Sequence, residues 1–301
     1  MAKKVLIQLD CDPQPSTFDA VVAIDAGVDA LLRHGGVTPD AAVPLVHGAM
    51  FTRGGAELAA TAIFVGGSDV AAAEAVFDRV KRTFFGPVRV SVLLDPAGAN
   101  TTASAAVVAA GRHMPWGGPA AAAAGRAVVL GGSGPVGQRV ARLLAGKGLA
   151  VAVASRSHAR AAEACGRIAA VLPAARLEAI EGIAAGGCGP ALRDAIAEAD
   201  VIVAAGAAGA VLLDDAARRL ARKARVLIDL NAVPPAGIEG IVAGDKARQW
   251  DGAIVYGALG VGGTKMKIHR AAVEKLFASN DACLDAEDLL AIGESLSSAS
   301  G

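Results

Sequence analysis

The sequence predicts an α/β protein of two domains, each built on a mainly parallel sheet. The chain has 301 residues, and single hydrophobic cores rarely keep growing beyond about 250–300 residues. Short apolar runs alternate with amphipathic segments along most of its length, as in repeated βαβ units. A glycine-rich turn at residues 131–137 follows an apolar run in the middle of the chain, as it does at the start of a nucleotide-binding sheet.

The elements of the first domain follow from apolar runs and helical spacing. They are strands at 5–9, 62–66 and 89–94 and helices at 17–34, 68–83 and 100–111. Residues 114–125 contain two prolines and three glycines without a period, which indicates a crossing between domains.

The second domain repeats the alternation of strand and helix. Its strands are predicted at 127–130, 150–154, 201–204, 226–230 and near 254–256, and its helices include 136–147 and 160–172. Terminal helices at 265–277 and 286–296 follow the last strand, and we expect them to return to the first domain. The predicted domains are therefore 1–118 with 265–301, and 119–264.

The composition excludes several classes of function. Lys+Arg and Asp+Glu balance at 29 each, which argues against a broad surface for nucleic acid or acidic lipid. The four cysteines form no CxxC pair, which predicts free thiols in a reducing compartment and no metal site. No apolar run reaches the roughly 18 residues of a membrane span. We therefore expect a cytoplasmic protein.

The glycine-rich turn has the spacing of a dinucleotide site, although an ordinary glycine turn is the alternative. The first glycine of such a turn permits the bend, the second lets the backbone approach the pyrophosphate, and the third lets the helix pack on the strand. The N–H groups at the helix start then face the phosphates, one of them removed by a proline. The predicted cofactor residues here are Gly132, Ser133, Gly134, Pro135, Val136 and Gly137.

The end of the next strand favours NADP over NAD. NAD enzymes usually carry Asp or Glu about 20 residues further on, bonded to the ribose 2′-hydroxyl. Here the strand ends in Ser155, Arg156 and Ser157, without an acid. A guanidinium can bind a 2′-phosphate through two hydrogen bonds. NAD stays a weaker alternative, as does Arg156 as a solvated loop residue. Gly206 and Asn231 follow later strands and are expected at the nicotinamide half.

Motifs outside the turn occur together in one known family. They are Ser16-x-Phe18-Asp19, Phe51-Thr52-Arg53-Gly54-Gly55, residues 61–67, Phe84-Phe85-Gly86-Pro87, Asn100-Thr101-Thr102-Ala103, Asn231-Ala232-x-Pro234-Pro235 and Gly257-Ala258-Leu259-Gly260-x-Gly262-Gly263-x-Lys265. With them the chain resembles the NADP-dependent methylenetetrahydromethanopterin/methylenetetrahydrofolate dehydrogenases of one-carbon-metabolising bacteria. The resemblance implies a pterin on the first domain, NADP on a Rossmann-like second domain, an active cleft between them, and a homo-oligomer, trimer or hexamer. It adds Gly257 to the cofactor residues.

The implied reaction moves a hydride from the methylene carbon between two pterin nitrogens to NADP. No proton moves in that step, so the lack of an acid–base pair is no objection. A fixed negative group near the developing methenyl cation would favour the reaction. Asp19 is the first candidate, and Phe18 could stack on the pterin. The alternatives are an acid that merely suits the first turn of a helix and a core phenylalanine.

Lys265 is the second catalytic candidate. A helix capped by Thr264 would hold Lys265 in its first turn, where positive charge is unfavourable, and such a local conflict suggests function. The alternative is a solvated lysine. Thr102 is a third catalytic candidate. Together with Asn100, it is expected to form hydrogen bonds with the amide edge of the pterin. His269 is a weaker substrate-binding candidate.

Two other functions fit the same architecture. One is an NADP-dependent reductase of shikimate-dehydrogenase type, but the first domain lacks that family's lysine placement. The other is a non-catalytic NADP-sensing protein, against which the presence of Asp19 and Lys265 argues. The sequence therefore predicts an enzyme, an NADP-dependent methylenetetrahydromethanopterin dehydrogenase with a small pterin substrate.

Overall fold

The computed structural model describes residues 2–114, 116, 125–184 and 187–299. The chain divides into two compact units, Met1–Thr101 with Met266–Gly301, and Thr102–Lys265. The sequence placed the first crossing at residues 114–125, most of which lie outside the described residues. The roles assigned to the two domains stay predictions.

The elements up to the middle of the chain are β1 (Val5–Asp10), α1 (Thr17–Asp25), β2 (Ala30–His34), α2 (Pro39–Phe51), β3 (Thr61–Gly66), α3 (Val70–Thr83), β4 (Ser91–Leu94) and α4 (Ala99–Gly111), with 3₁₀ turns at Gly55–Ala60 and Pro96–Gly98. They continue with β5 (Arg126–Leu130), α5 (Pro135–Gly146), β6 (Ala150–Ser155), α6 (His158–Val171), β7 (Arg176–Glu181), β8 (Ile183–Ala184), β9 (Gly187–Cys188), α7 (Pro190–Glu198) and β10 (Val201–Ala204). The last are α8 (Asp215–Arg218), β11 (Val226–Asp229), β12 (Lys246–Trp250), β13 (Ala253–Tyr256), α9 (Ala258–Lys275), β14 (Cys283–Leu284) and α10 (Ala286–Ser298).

The first unit contains a five-stranded sheet in the order β14-β4-β3-β1-β2, with every pair parallel. One apolar cluster joins strand residues such as Ile7 and Ile63 to Val46 of α2 and Val76 of α3. The residues that alternate with these along the strands, such as Phe64, are buried as well. Strands buried on both faces are typical of parallel sheets covered by helices.

The predicted helix at 17–34 is wrong, because the structure divides it into α1 and β2. The helix ends before Gly27, which has a left-handed φ of +78° that glycine adopts without steric cost. The following residues pair with β1 in parallel, Ala30 beside Val5 and His34 beside Leu9. The Ala-Leu-Leu-Arg-His run fits helical and strand spacing about equally, so the available sheet edge decides.

The second unit contains a seven-stranded sheet in the order β12-β13-β11-β10-β5-β6-β7. All neighbours are parallel except β12 and β13. Without β12, the strands follow the 3-2-1-4-5-6 order of dinucleotide-binding sheets. The order reverses beside β5, so the loops after β5 and β10 lie at the crevice where such sheets bind ligands. The predicted Rossmann-like α/β fold is confirmed.

The predicted start of the penultimate helix at Lys265 is also wrong. Helix α9 begins at Ala258, so Thr264 does not cap it and Lys265 lies within the helix. Glycines at 260, 262 and 263 have low helix propensity, so the sequence does not predict a helix that begins at Ala258. A Cβ on Gly260 would lie 1.8 Å from the carbonyl oxygen of Asp245, so the small residue permits close packing of the first turn. Among the described residues, no helix is long and apolar enough to span a membrane.

Candidate functional site

A cavity of about 540 Å³ lies at the carboxyl ends of β5, β6 and β10. Its lining residues come from the turn before α5, the end of β6, the start of α6 and the loop after β10: Gly131, Ser133, Gly134, Pro135, Ser155, Arg156, Arg160, Ala205, Gly206, Ala207, Ala210, Val211 and Leu212. One side is therefore polar and basic, whereas the other is apolar. The sheet order places the cavity at the reversal beside β5.

The tight bend predicted for Gly132 belongs to Gly131. Gly131 has φ +73°, and a Cβ on it would lie 2.5 Å from the Cα of Gly206. Gly137 has the predicted role of close helix packing, because its Cβ would lie 2.4 Å from the carbonyl oxygen of Gly131. Gly132, Val136 and Gly137 shape the turn without lining the cavity.

The start of α5 provides backbone donors to the cavity. The helix begins at Pro135 after Gly134, which has no side chain to cap it, and its first turn contains no acidic residue. The first N–H groups of a helix have no acceptor within the helix, and they carry the positive end of its dipole. This end of α5 is therefore suited to an anion such as a pyrophosphate.

Two arginines and two serines form the polar side. The hydroxyl of buried Ser155 lies 2.8 Å from that of Ser133. Arg156 and Arg160 both line the cavity with exposed side chains. Neither guanidinium forms an ion pair or hydrogen bond within the part of the chain that the structure describes. Ser157 instead caps α6 by accepting a hydrogen bond from the backbone N–H of Arg160 at 3.4 Å.

Sequence reasoning missed Arg160 because it stopped at the loop after β6. Arg160 is the third residue of α6, and a positive charge there opposes the helix dipole. The unfavourable positive charge in a first helical turn, predicted for Lys265, is therefore found at Arg160. A cation in the first turn after a nucleotide-binding strand was the signal that could have identified it.

Of the three cofactor residues predicted in the loops after later strands, one lines the cavity. Gly206 lines the cavity, and a Cβ on it would lie 2.6 Å from Cδ1 of Leu212. Asn231 holds its own loop, since its amide donates to the carbonyl of Pro235 at 3.0 Å and accepts from the N–H of Val233 at 3.0 Å. Gly257 permits close packing, because its Cβ would lie 2.1 Å from the carbonyl oxygen of Val242. Asn231 and Gly257 do not line the cavity.

In the first unit, the fold brings three of the predicted site residues together. Phe18 and Asp19 lie in the first turn of α1, where Ser16 accepts a hydrogen bond from the N–H of Asp19 at 3.2 Å. Nε2 of His269, on α9, lies 3.9 Å from Oδ1 of Asp19. The rings of Phe18 and His269 have centroids 6.3 Å apart. Half of Phe18 is exposed to solvent.

The loop that leads into α1 is anchored by Asp10, a buried residue at the end of β1 that the sequence reasoning missed. Its carboxylate accepts from the N–H of Asp12 at 2.9 Å and from that of Ser16 at 3.0 Å. Cys11 lies between the two aspartates, and burial together with their negative charge raises the pKa of its thiol to about 11. The start of α1 is therefore fixed from the sheet.

Three other predicted residues are placed differently. Asn100 is fully buried and donates to the carbonyl of Leu94 at 2.7 Å and to Oδ1 of Asp285 at 2.9 Å. This geometry does not favour the predicted contact with a substrate. Thr102 and Lys265 are half-buried and belong to the second unit. Lys265 precedes His269 by four residues on α9, so both side chains project from the same face of that helix.

Comparison with known proteins gives three results. A family model described as "Methylene-tetrahydromethanopterin dehydrogenase, N-terminal" matches residues 17–97. The "Bifunctional protein MdtA" of Methylorubrum extorquens is 42% identical over 300 residues, covering 98% of this chain and 100% of that protein. The "NAD(P)-dependent methylenetetrahydromethanopterin dehydrogenase" of the same organism is 33% identical, covering 96% of this chain and 97% of that one.

Among solved structures, the quinate dehydrogenase of Corynebacterium glutamicum in complex with NAD is similar in fold. Its TM-score is 0.51 at 15% sequence identity, covering 97% of this chain and 99% of that one. At this identity the likeness concerns the fold alone.

Proposed function

Because the chain belongs to the methylenetetrahydromethanopterin dehydrogenase family, we propose that it oxidises a methylene-tetrahydropterin to the methenyl form, with NADP as the hydride acceptor. The observation that carries this proposal is the near full-length match to a relative named for that reaction. Tetrahydromethanopterin is the proposed carrier, and tetrahydrofolate is the alternative. The enzyme is thus an oxidoreductase of one-carbon metabolism.

The residues of the second unit fit a dinucleotide. The cavity of about 540 Å³ lies within the range of roughly 300–1,000 Å³ of small-molecule sites. Side chains at Gly131 or Gly137 would meet backbone atoms at 2.5 Å or less, so the turn can form only with glycine there. The helix start beside it offers backbone N–H groups to a pyrophosphate.

The choice of NADP depends on Arg156 and Arg160. Two guanidiniums without a protein counter-ion among the described residues line one end of the cavity. A 2′-phosphate would accept charge-assisted hydrogen bonds from both, whereas a 2′-hydroxyl offers no negative charge. The hydroxyls of Ser133 and Ser155 lie on the same side and provide further donors.

The proposed chemistry needs little from side chains beyond binding and electrostatics. The nicotinamide of bound NADP supplies the hydride acceptor. Asp19 holds a carboxylate that would stabilise the cation developing over the two pterin nitrogens. Phe18 presents an exposed ring on which a pterin can stack. Lys265 is proposed as an orienting group for the pterin, on the family resemblance alone. Its position inside α9 removes the earlier argument from the helix dipole.

The alternatives lack a specific observation in their favour. The likeness to quinate dehydrogenase is at 15% identity, so it does not support a shikimate-type reaction. A sensing role would not need the cluster of Phe18, Asp19 and His269. We also propose a cytoplasmic location, which fits the free cysteines of the described chain, and a homo-oligomer, which is proposed from the family resemblance alone.

The test is a turnover assay with purified protein, NADP, and methylene-tetrahydromethanopterin or methylene-tetrahydrofolate. We expect NADPH and the methenyl product to appear together, in equal amounts. No turnover with either pterin would contradict the proposed reaction. NADP binding measured separately by calorimetry would show whether the cofactor proposal stands on its own.

A further inference from the structure

His269 is an imidazole buried inside the first unit beside the proposed catalytic carboxylate. Only 1% of its side chain is exposed, against 10% for Asp19. The ring stacks on Phe64 with centroids 5.8 Å apart and an interplanar angle of 20°. Its Nε2 lies 3.9 Å from Oδ1 of Asp19. The imidazole therefore lies nearly parallel to the ring of Phe64, and its Nε2 is within ion-pair distance of Asp19 but beyond hydrogen-bond distance.

The burial of His269 argues against the substrate-binding role predicted from the sequence. A side chain with 1% exposure has almost no surface on which a pterin could rest, whereas Phe18 is half exposed. Asp19 lies between these extremes, with a small exposed part. A ligand on the exposed side of this cluster would meet Phe18 and Asp19, and His269 would contact only their buried sides.

A histidine at this position is costly unless its polarity is used. Its buried neighbours on α9, Ile268, Ala272 and Val273, are all apolar. Burying a polar group among apolar ones is unfavourable unless it finds a polar partner. A leucine would fill similar space against Phe64 without this cost. The carboxylate of Asp19 is a partner that accounts for the imidazole.

We propose that His269 is a positioning residue that acts through Asp19. Its Nε2 restrains the carboxylate in the orientation in which the negative charge meets the developing methenyl cation, and the stack on Phe64 restrains the imidazole in turn. This inference rests on the proposed hydride transfer. Preorganised charge is effective because no reorganisation is needed during the reaction, and small misplacements near reacting atoms cost up to about 100-fold in rate.

Two amide substitutions distinguish this role from simple packing. In His269→Gln the amide nitrogen can take the place of Nε2, whereas in His269→Asn it reaches only the place of Nδ1. Both variants bury an amide in place of the imidazole, and they differ from each other by one methylene group. We expect His269→Gln to keep kcat within about threefold and His269→Asn to lower kcat about 10- to 100-fold. KM for the pterin and NADP affinity should stay near the parent values.

A double-mutant cycle with Asp19→Asn tests the route of the effect. If His269 acts through Asp19, His269→Asn should cause no further loss of kcat in the Asp19→Asn background. The same loss in both backgrounds would overturn the proposal, as would equal activity of the glutamine and asparagine variants. Full activity of Asp19→Asn would overturn it together with the role of Asp19, although parent turnover would still support the proposed function. Thermal unfolding of each variant checks that it is folded.

Discussion

At the scale of single residues, the two arginines at the start of α6 are the clearest functional feature. Several exposed arginines elsewhere in the second unit have acidic partners, as Arg167 has in Glu163 at 2.5 Å. Arg156 and Arg160 have none among the described residues, and both face one cavity. Two like charges at a helix start are unfavourable without an anion. A phosphate monoester would offset both the repulsion between the two guanidiniums and their unfavourable interaction with the helix dipole.

Arg156→Ala and Arg160→Ala should each weaken NADP binding about 10- to 100-fold, as expected for the loss of one or two charge-assisted hydrogen bonds worth about 1.5–3 kcal/mol. Binding of NAD should change little, because it has no 2′-phosphate. Isothermal calorimetry with both cofactors measures this difference. Arg222→Ala, at an exposed arginine of the second unit that does not line the cavity, is the matched control. Equal losses for NADP and NAD would refute the 2′-phosphate role.

Cys11 should react slowly with thiol reagents. Burial, and then the charges of Asp10, Asp12 and Asp69, raise the pKa of its thiol from 9.0 to about 11. Only the thiolate is nucleophilic, so alkylation at pH 8 should be about 100-fold slower than in the unfolded chain. Peptide mass spectrometry after iodoacetamide treatment, in buffer and in urea, measures both rates. Similar rates in the two solutions would contradict the raised pKa.

The same pKa shift gives a pH dependence of stability. A thiol whose pKa is raised by folding is protonated in both states below 9.0. Between 9.0 and about 11 the unfolded chain ionises first, so the free energy of unfolding contributed by Cys11 falls as pH rises. Cys11→Ser should flatten this decline, as measured by urea unfolding at pH 8 and pH 10.

At the scale of elements, helix α5 depends on the glycine that lets it approach the turn. Gly137→Ala would place a Cβ 2.4 Å from the carbonyl oxygen of Gly131. The backbone must shift, and we expect a loss of about 1–3 kcal/mol in unfolding free energy together with weaker NADP binding. Urea unfolding and calorimetry provide the two measurements.

Gly146 provides the control within the same helix. A Cβ on Gly146 meets nothing within 4 Å, and alanine is favoured over glycine inside helices by about 1 kcal/mol. Gly146→Ala should therefore leave stability unchanged or raised, and NADP binding unchanged. A Gly137→Ala variant as stable as Gly146→Ala would show that the turn tolerates a side chain.

Element boundaries also show where local sequence is insufficient. Strands such as β5 and β10 were predicted because buried parallel strands are nearly continuous apolar runs. The division of residues 17–34 into α1 and β2, and the start of α9 at Ala258 among glycines, depend on partners distant in sequence: β1 for β2 and the loop at Asp245 for α9. The helix or strand propensity of a segment does not depend on such distant partners, so it cannot predict these boundaries.

At the scale of the whole molecule, NADP should stabilise the unit that binds it. Both tryptophans, Trp116 and Trp250, belong to the second unit, so tryptophan fluorescence reports its unfolding. NADP at 100 times its Kd should add about 2.7 kcal/mol, seen as a higher midpoint in urea. NAD at the same concentration should shift the midpoint less. A double variant of Arg156 and Arg160 to alanine should remove the difference between the two cofactors.

The α/β class, the glycine turn, the basic residue after β6 and the family are all predictable from the amino-acid sequence. These features depend on residues near one another in the chain, or on motifs that a family shares. Three further features become visible only in the folded chain: Gly131 makes the bend, Arg160 lines the cavity with Arg156, and His269 is buried beside Asp19. Each of these depends on which strand ends and helix faces meet, because parallel sheets and their helices bring together residues far apart in sequence.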